Sequence, residues 1–244
     1  MDKLPDTEQQ AKVMWQGIVD TALKVIKTPS EFYRGMARDG GFVDPLIFVA
    51  VMGAVGGVVY TVLGVLHLLP MVSMGMALSG IVIMPIYAVI GSFIGGAIVF
   101  VVWKLMGSGE SFETAYRCGA YASAVSPIVL GLNAVPYIGG LVGLAWMVVL
   151  LVTASVEVHK IAAKTAWLVF GIIGGLLALG SISGQIAAHR VQRGFNAWEK
   201  QWGGKPAKNM TPEDAGKAAA AFAKAMQEEA AKEAAKAKAE VQGE

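Results

Sequence analysis

Five long apolar stretches lie between Leu46 and Ala187, and the lysines and arginines that separate them fall only in every second connection. A segment crossing lipid must satisfy its backbone polar groups internally, so a run of about 20 apolar residues predicts a spanning helix. The pattern puts spans near 46–69, 77–103, 117–135, 138–158 and 166–187. The expected fold class is all-α, a polytopic membrane helical bundle with five transmembrane helices. No lysine or arginine occurs from Pro70 to Met76 or at Pro136-Tyr137, whereas Lys104 and Arg117 flank the connection after the second span and Lys160 and Lys164 lie in that after the fourth. Positive residues stay on the cytoplasmic side. The N-terminus, with Lys27, Arg34 and Arg38, is therefore expected in the cytosol, and the C-terminus on the opposite side.

Ahead of the spans, residues 7–27 predict an amphipathic helix: Lys12, Gln16, Asp20, Lys24 and Lys27 form a polar row, and Trp15, Ile18, Ala22 and Ile26 an apolar one. Such a helix either packs on the membrane core or is an interfacial or partner-binding helix. Thr28, Pro29 and Glu31 predict a capped restart, and a short second helix to about Arg38. Gly40-Gly41 breaks the chain, and Asp44-Pro45 repeats the cap-then-proline signal before the first span. After the fifth span, Val191, Phe195, Trp198 and Trp202 continue a helical stripe up to Gly203-Gly204, and Thr211-Pro212-Glu213-Asp214 starts another helix. That last helix favours its state by propensity and sets Glu228 four residues before Lys232, but its large apolar residues are Phe222, Met226 and Val241, so a solvated helix or a disordered tail is expected. The divisions are 1–43, cytosolic amphipathic helices; 44–187, the membrane domain; 188–203, an amphipathic extension; and 204–244, an Ala/Lys/Glu-rich tail.

Composition agrees with the pattern. The 244 residues are 55% hydrophobic and 16% charged, with a mean hydropathy of +0.55, outside the usual soluble range. A net charge of +2 supplies no basic surface for nucleic acid. The orientation has one conflict: residues 188–244 carry 10 of the 20 basic residues, beside eight acidic ones, and the charge rule would keep them inside. Cys118 is the single cysteine and cannot form an internal disulfide. Residues Met1 to Gln10 lack the basic and apolar regions of a cleavable signal, and none is expected.

No catalytic constellation emerges, and neither a cofactor nor a metal is expected. His67, His159 and His189 lie on different elements, and Gly107-Ser108-Gly109 lacks the lysine of a phosphate loop. Glu157 can reach Lys160 one turn later as an interfacial ion pair, or serve as a functional carboxylate near membrane depth. Glycine pairs four apart, Gly53/Gly57, Gly91/Gly95, Gly139/Gly143, Gly171/Gly175 and Gly180/Gly184, allow close helix contacts inside the bundle or between copies in a homo-oligomer. The third span is the least ordinary. Tyr116, Arg117, Tyr121, Ser126, Pro127, Asn133 and Pro136 make it poor in large apolar residues, and Pro127 should kink it, with Ser123 or Ser126 bonding the released carbonyls. A kinked helix of this kind belongs in the bundle interior, as a structural bend or beside a groove for a ligand or partner.

The same residues carry a resemblance. Phe112-x-x-x-Tyr116-Arg117-x-x-Ala120-Tyr121, Pro127, Pro136-x-x-Gly139, Trp146 ahead of Glu157 and His159, and Pro29-x-x-Phe32-Tyr33 with Asp44-Pro45 resemble the prokaryotic branch of the Yip family over residues 25–185. That family comprises five-span membrane proteins named for the eukaryotic Ypt/Rab-interacting proteins. The resemblance implies a cytosolic N-terminus, no catalytic activity, and location in a bacterial inner membrane. Eukaryotic members have a glycine-tyrosine pair where this chain has Ala120-Tyr121. The expected function is a non-enzymatic scaffold of membrane organisation or of a trafficking-like process, in contact with the lipid bilayer and with a protein partner through residues 1–38. The alternative is a small transporter or channel with its pathway beside the third span.

Overall fold

The computed structural model describes residues 7–69, 72–135, 138–202 and 211–242, and the described elements are helical. They are α1 (Thr7–Lys27), α2 (Pro29–Gly35), α3 (Val43–Val65), α4 (Met74–Leu105), α5 (Phe112–Ala122), a 3₁₀ turn at Ser123–Val125, α6 (Ser126–Leu132), α7 (Ile138–Glu157), α8 (Ala163–Trp202) and α9 (Pro212–Gln242). Among the described residues four helices are long and apolar enough to cross a membrane, namely α3, α4, α7 and the Ala163–Gln185 part of α8. The segment of the expected third span is made of two short helices, α5 and α6, with a break between them.

The break follows from Pro127. Its missing N–H removes the i+4 donor of the Ser123 carbonyl, which instead accepts the Ser126 backbone N–H and, at 2.6 Å, the Ser126 Oγ–H. The chain tightens into the 3₁₀ turn and restarts with Pro127 in the first turn of α6. Two expected caps are not made. Thr28 gives α2 no side-chain cap and its hydroxyl turns back to the Lys24 carbonyl of α1. Asp44 lies inside the first turn of α3, where its charge favours the helix dipole, and Phe42 holds the N-cap position. α2 also stops at Gly35, before Arg38. Serine does cap where the hydroxyl meets a free N–H: Ser73 at α4 and Ser111 at α5.

Two compact units divide the chain, Met1–Ala178 and Leu179–Glu244. In the second, α9 carries the ion pairs Lys217–Glu213 and Lys224–Glu228 one turn apart, and Phe222 and Met226 are half-buried. The first holds the core. α3 and α4 run antiparallel in near-backbone contact: a Cβ added at Gly57 would lie 2.6 Å from the Gly80 carbonyl oxygen, and one at Gly64 would lie 2.6 Å from Ala77 Cβ. Thr61 Oγ1 donates to the Ala77 carbonyl across the same seam at 2.7 Å. α6 turns back onto α7 in the same way, with Gly139 against the Leu132 carbonyl and Gly143 against Val129. The C-terminal ends of α4 and α7 lie side by side, where Trp103 Nε1–H donates to Ser155 Oγ at 2.7 Å. Gly174 of α8 meets Val148 of α7.

Gly53/Gly57 and Gly139/Gly143 thus close helix seams within the chain, whereas Gly91/Gly95, Gly171/Gly175 and Gly180/Gly184 have open space where a Cβ would go. The outer side of α4 is apolar and exposed, including Ile83, Tyr87, Ile94 and Ile98; at a mean hydropathy of 2.2 that side faces lipid. Gly57→Val must push α3 off the backbone of α4, and a loss of about 1–3 kcal/mol is expected. Thermal unfolding in detergent should show a lowered midpoint for Gly57→Val and an unchanged or raised one for Gly91→Ala, whose Cβ, in the interior of α4, meets nothing.

Candidate functional site

α5 carries both polar and aromatic side chains, and four stretches of chain converge on it. From α2, the Phe32 ring meets Tyr121 edge-on at 5.3 Å, and Tyr33 Oη donates to the Cys118 carbonyl at 3.1 Å. Tyr33 is fully buried there, and burial raises its phenol well above its ordinary range, so it stays a donor. From α3, Phe48 meets the Tyr121 ring at 5.2 Å. Tyr116 stacks on Phe93 of α4 at 4.6 Å, takes Phe42 edge-on at 5.3 Å, and shares a hydrogen bond with Ser92 at 3.1 Å.

Arg117 fixes the link between α2 and α3. Its side chain is only 4% exposed, and its Nε and Nη1 donate to the carbonyls of Ala37 and Gly41 at 2.8 and 2.7 Å. Those carbonyls converge because Gly40 and Gly41 take φ values of +108° and +84°, a left-handed conformation that glycine adopts without strain. The same link is held from the other side. Gly41 N–H donates to Glu113 at 2.6 Å, Thr114 Oγ1 donates to the Arg38 carbonyl at 3.0 Å, and Arg38 pairs with Glu110 at 2.7 Å.

A second cluster lies where α7 ends. Arg34 grips Glu157 with two parallel bonds of 3.1 and 2.9 Å, a fork geometry suited to guanidinium and carboxylate. The Glu157 hydrogen bond holds the guanidinium above its ordinary pKa, although Arg34 is largely exposed. Lys160 is not the ion partner of Glu157: its ammonium donates to the Glu157 carbonyl at 2.8 Å, and its own φ of +55° ends α7. His159 is buried under Trp103, ring centroids 3.8 Å apart, with Nδ1 2.7 Å from Ser108 Oγ. Ser108 Oγ also accepts the Glu110 N–H, and the Nε2 of His159 is buried without a hydrogen-bond partner among the described residues. Burial first, then the charges of Arg38 and Lys104, push the imidazole down to about 4.

The residues singled out in the sequence therefore separate. Tyr116, Arg117 and Tyr121 join the α5 cluster, and Glu157 and His159 the cluster beside it. Ser126 and Pro127 serve the helix break, and Asn133 is exposed as the C-cap of α6. Pro136 lies outside the described residues. The groove beside α6, about 230 Å³, is lined by apolar side chains and by none of these residues. The partners Arg34, Arg38, Glu110, Glu113, Ser108 and Trp103 did not stand out as site residues. A signal existed for one pair: Arg38, before the first span, faces Glu110, before the third. No group of three His, Cys, Asp or Glu side chains able to hold a metal occurs among the described residues.

Two segments distant in sequence, 29–45 and 112–121, thus interlock, and a family model for the Yip1 domain matches residues 23–184, which contain both. The chain belongs to the Yip1-domain family. Neither a curated protein nor a solved structure matches it. The Yip1-domain residues quoted from the sequence, Phe32, Tyr33, Phe112, Tyr116, Arg117 and Tyr121, are those that bind the N-terminal segment to the bundle.

Arg117→Met leaves the Ala37 and Gly41 carbonyls without their charged donor, at an expected cost of about 1.5–3 kcal/mol. Hydrogen exchange should accelerate over residues 37–41 before anywhere in α3. The His159 shift carries a sign as well. From the ordinary 6.5 down to about 4 the unfolded chain takes up a proton that the folded chain refuses, so stability falls with pH across that window. His159→Phe keeps the stack on Trp103 and cannot titrate; its unfolding midpoint should fall less than that of the parent over the same acid interval.

Proposed function

We propose that this Yip1-domain protein is a non-enzymatic scaffold that crosses the membrane five times and presents its N-terminal helices on the cytosolic face. The observation that carries the reading is the α5 interlock, which ties α2 and residues 36–42 to the end of the bundle where Lys104, Arg117, Lys160 and Lys164 lie. Basic residues of connections stay on the cytosolic side, and the interlock holds residues 29–42 at that same level.

The count of five is supported by direction. α4 and α7 both end at this face, as the Trp103–Ser155 bond records. The chain that leaves α4 must therefore reach the opposite face before α7 begins, and α5, the 3₁₀ turn and α6 are the path. Those 21 residues, Phe112–Ala122, Ser123–Val125 and Ser126–Leu132, cover about 30 Å at helical rise, the thickness of the hydrocarbon core. With α8 counted as the fifth crossing, the proposed topology has an odd number of spans and puts the C-terminus on the side of the membrane opposite the N-terminus. A bacterial inner membrane is the compartment in which this orientation is proposed.

The groove beside α6 offers no polar side chain to a solute, and no observation favours a transport pathway. Binding surfaces for a protein partner are instead sought on α1 and α2, where Arg34 is 69% exposed although it is paired. Affinity capture from membranes, with the full chain and with a chain lacking residues 1–38, tests the reading. A set of bound proteins that shrinks on truncation is expected; an identical set would sink it.

A further inference from the structure

α1 is seated on the bundle by Val25 and Ile18 and leaves Trp15 and Leu23 exposed. Between α1 and the start of α3 runs a cleft of about 360 Å³, lined by Thr21 of α1, Asp44 of α3 and Tyr121 of α5, beside Met14 and Phe48. Glu110, Glu113 and Glu157, the acids of the two clusters described above, each hold a partner. Asp44 holds none. Among the described residues neither its carboxylate nor the hydroxyls of Thr21 and Tyr121 make a hydrogen bond or an ion pair. The Tyr121 ring is held in place by Phe32 and Phe48, which meet it edge-on. Arg117 reaches the Gly41 carbonyl and Tyr121 follows one turn later on α5, as Phe48 follows Asp44 on α3. The cleft therefore lies in the first turn inside the charged end of the bundle.

We propose that this cleft is a binding site for a primary alkylammonium group. Such a group brings one positive charge and three N–H donors, and the cleft presents one carboxylate and two hydroxyl oxygens as acceptors. Phe48 and Tyr121 add ring surface, which attracts a cation and packs against its alkyl carbon. An anion is opposed by Asp44. A neutral apolar chain would strip water from three oxygens and return no hydrogen bond. A quaternary ammonium carries the same charge but no donor, so the three oxygens select against it. Two nearby positive charges work against the site and do not cancel it. The N-terminal dipole of α3 amounts to about half a charge spread over its first turn, and Arg117 spends its guanidinium on the Ala37 and Gly41 carbonyls without lining the cleft. The group has two sources, the headgroup of phosphatidylethanolamine and a free amine in solution. Only the lipid source rests on the membrane-spanning reading above, and neither depends on a protein partner.

Gly17 supplies the reporter. It lines the cleft and a Cβ there meets nothing within 4 Å, so Gly17→Cys adds a thiol without displacing a neighbour, while Cys118 is fully buried. The full chain with this substitution, in phosphatidylcholine nanodiscs, is alkylated with uncharged iodoacetamide, alone or with ethylammonium chloride, and again in nanodiscs containing phosphatidylethanolamine. Alkylation at position 17 should slow severalfold with an amine present and keep its rate in tetramethylammonium chloride of the same concentration. Protection by phosphatidylethanolamine supports the site with lipid as its source; protection by ethylammonium alone supports it with a soluble amine. Asp44→Asn and Tyr121→Phe, each added to Gly17→Cys, should remove most of the protection, and Tyr121→Phe keeps the ring contacts with Phe32 and Phe48. No protection by either amine, equal protection by tetramethylammonium, or protection undiminished in both variants overturns the site. Partner capture is read separately, so either result can fail while the other stands.

Discussion

The guanidinium of Arg117 sits at the boundary between the apolar bundle and its charged end, buried, and satisfied by two backbone carbonyls. A buried charge must be hydrogen-bonded or it costs several kcal/mol, so the chain that supplies those carbonyls cannot leave. That chain is the link from α2 to α3. Through it α2 is held on α5, Arg34 is placed opposite Glu157, and α1 is laid along the 3₁₀ turn. Only glycines at 40 and 41 allow both carbonyls to reach one side chain.

Deeper in the bundle the governing constraint changes. Lipid is as apolar as a leucine side chain, so burial of hydrophobic surface gives little reason for helices to associate there. Close van der Waals contact and occasional hydrogen bonds do so instead, which is why α3 and α4 meet at glycine and alanine and share the Thr61 bond. Large aromatic packing is concentrated at the charged end, where Phe42, Phe93, Phe112, Tyr116 and Trp103 gather. The Yip1-domain match spans both parts of this division: residues 23–184 take in the junction between N-terminal segment and bundle and the apolar helices around it.

The sequence by itself determined the apolar helices and most of their limits, since α1, α7 and the helices after Ser73 and Thr211 begin or end close to where periodicity and turn residues place them. It determined the family too, through residues whose types are dictated by local packing. What it could not give was pairing. Glu157 has Lys160 nearby in sequence, yet its partner is Arg34, 123 positions away; Thr28 and Asp44 look like caps, yet neighbouring carbonyls and Phe42 take those roles. The break at Pro127 was legible because proline acts on its own turn, whereas the direction of the segment around it depended on where α4 and α7 end. Spans and breaks are set by interactions within a few residues. Which glycine pairs close a seam, which carbonyls meet Arg117 and which face of α1 stays uncovered are set by chain brought together from far away, and only the tertiary structure decided them.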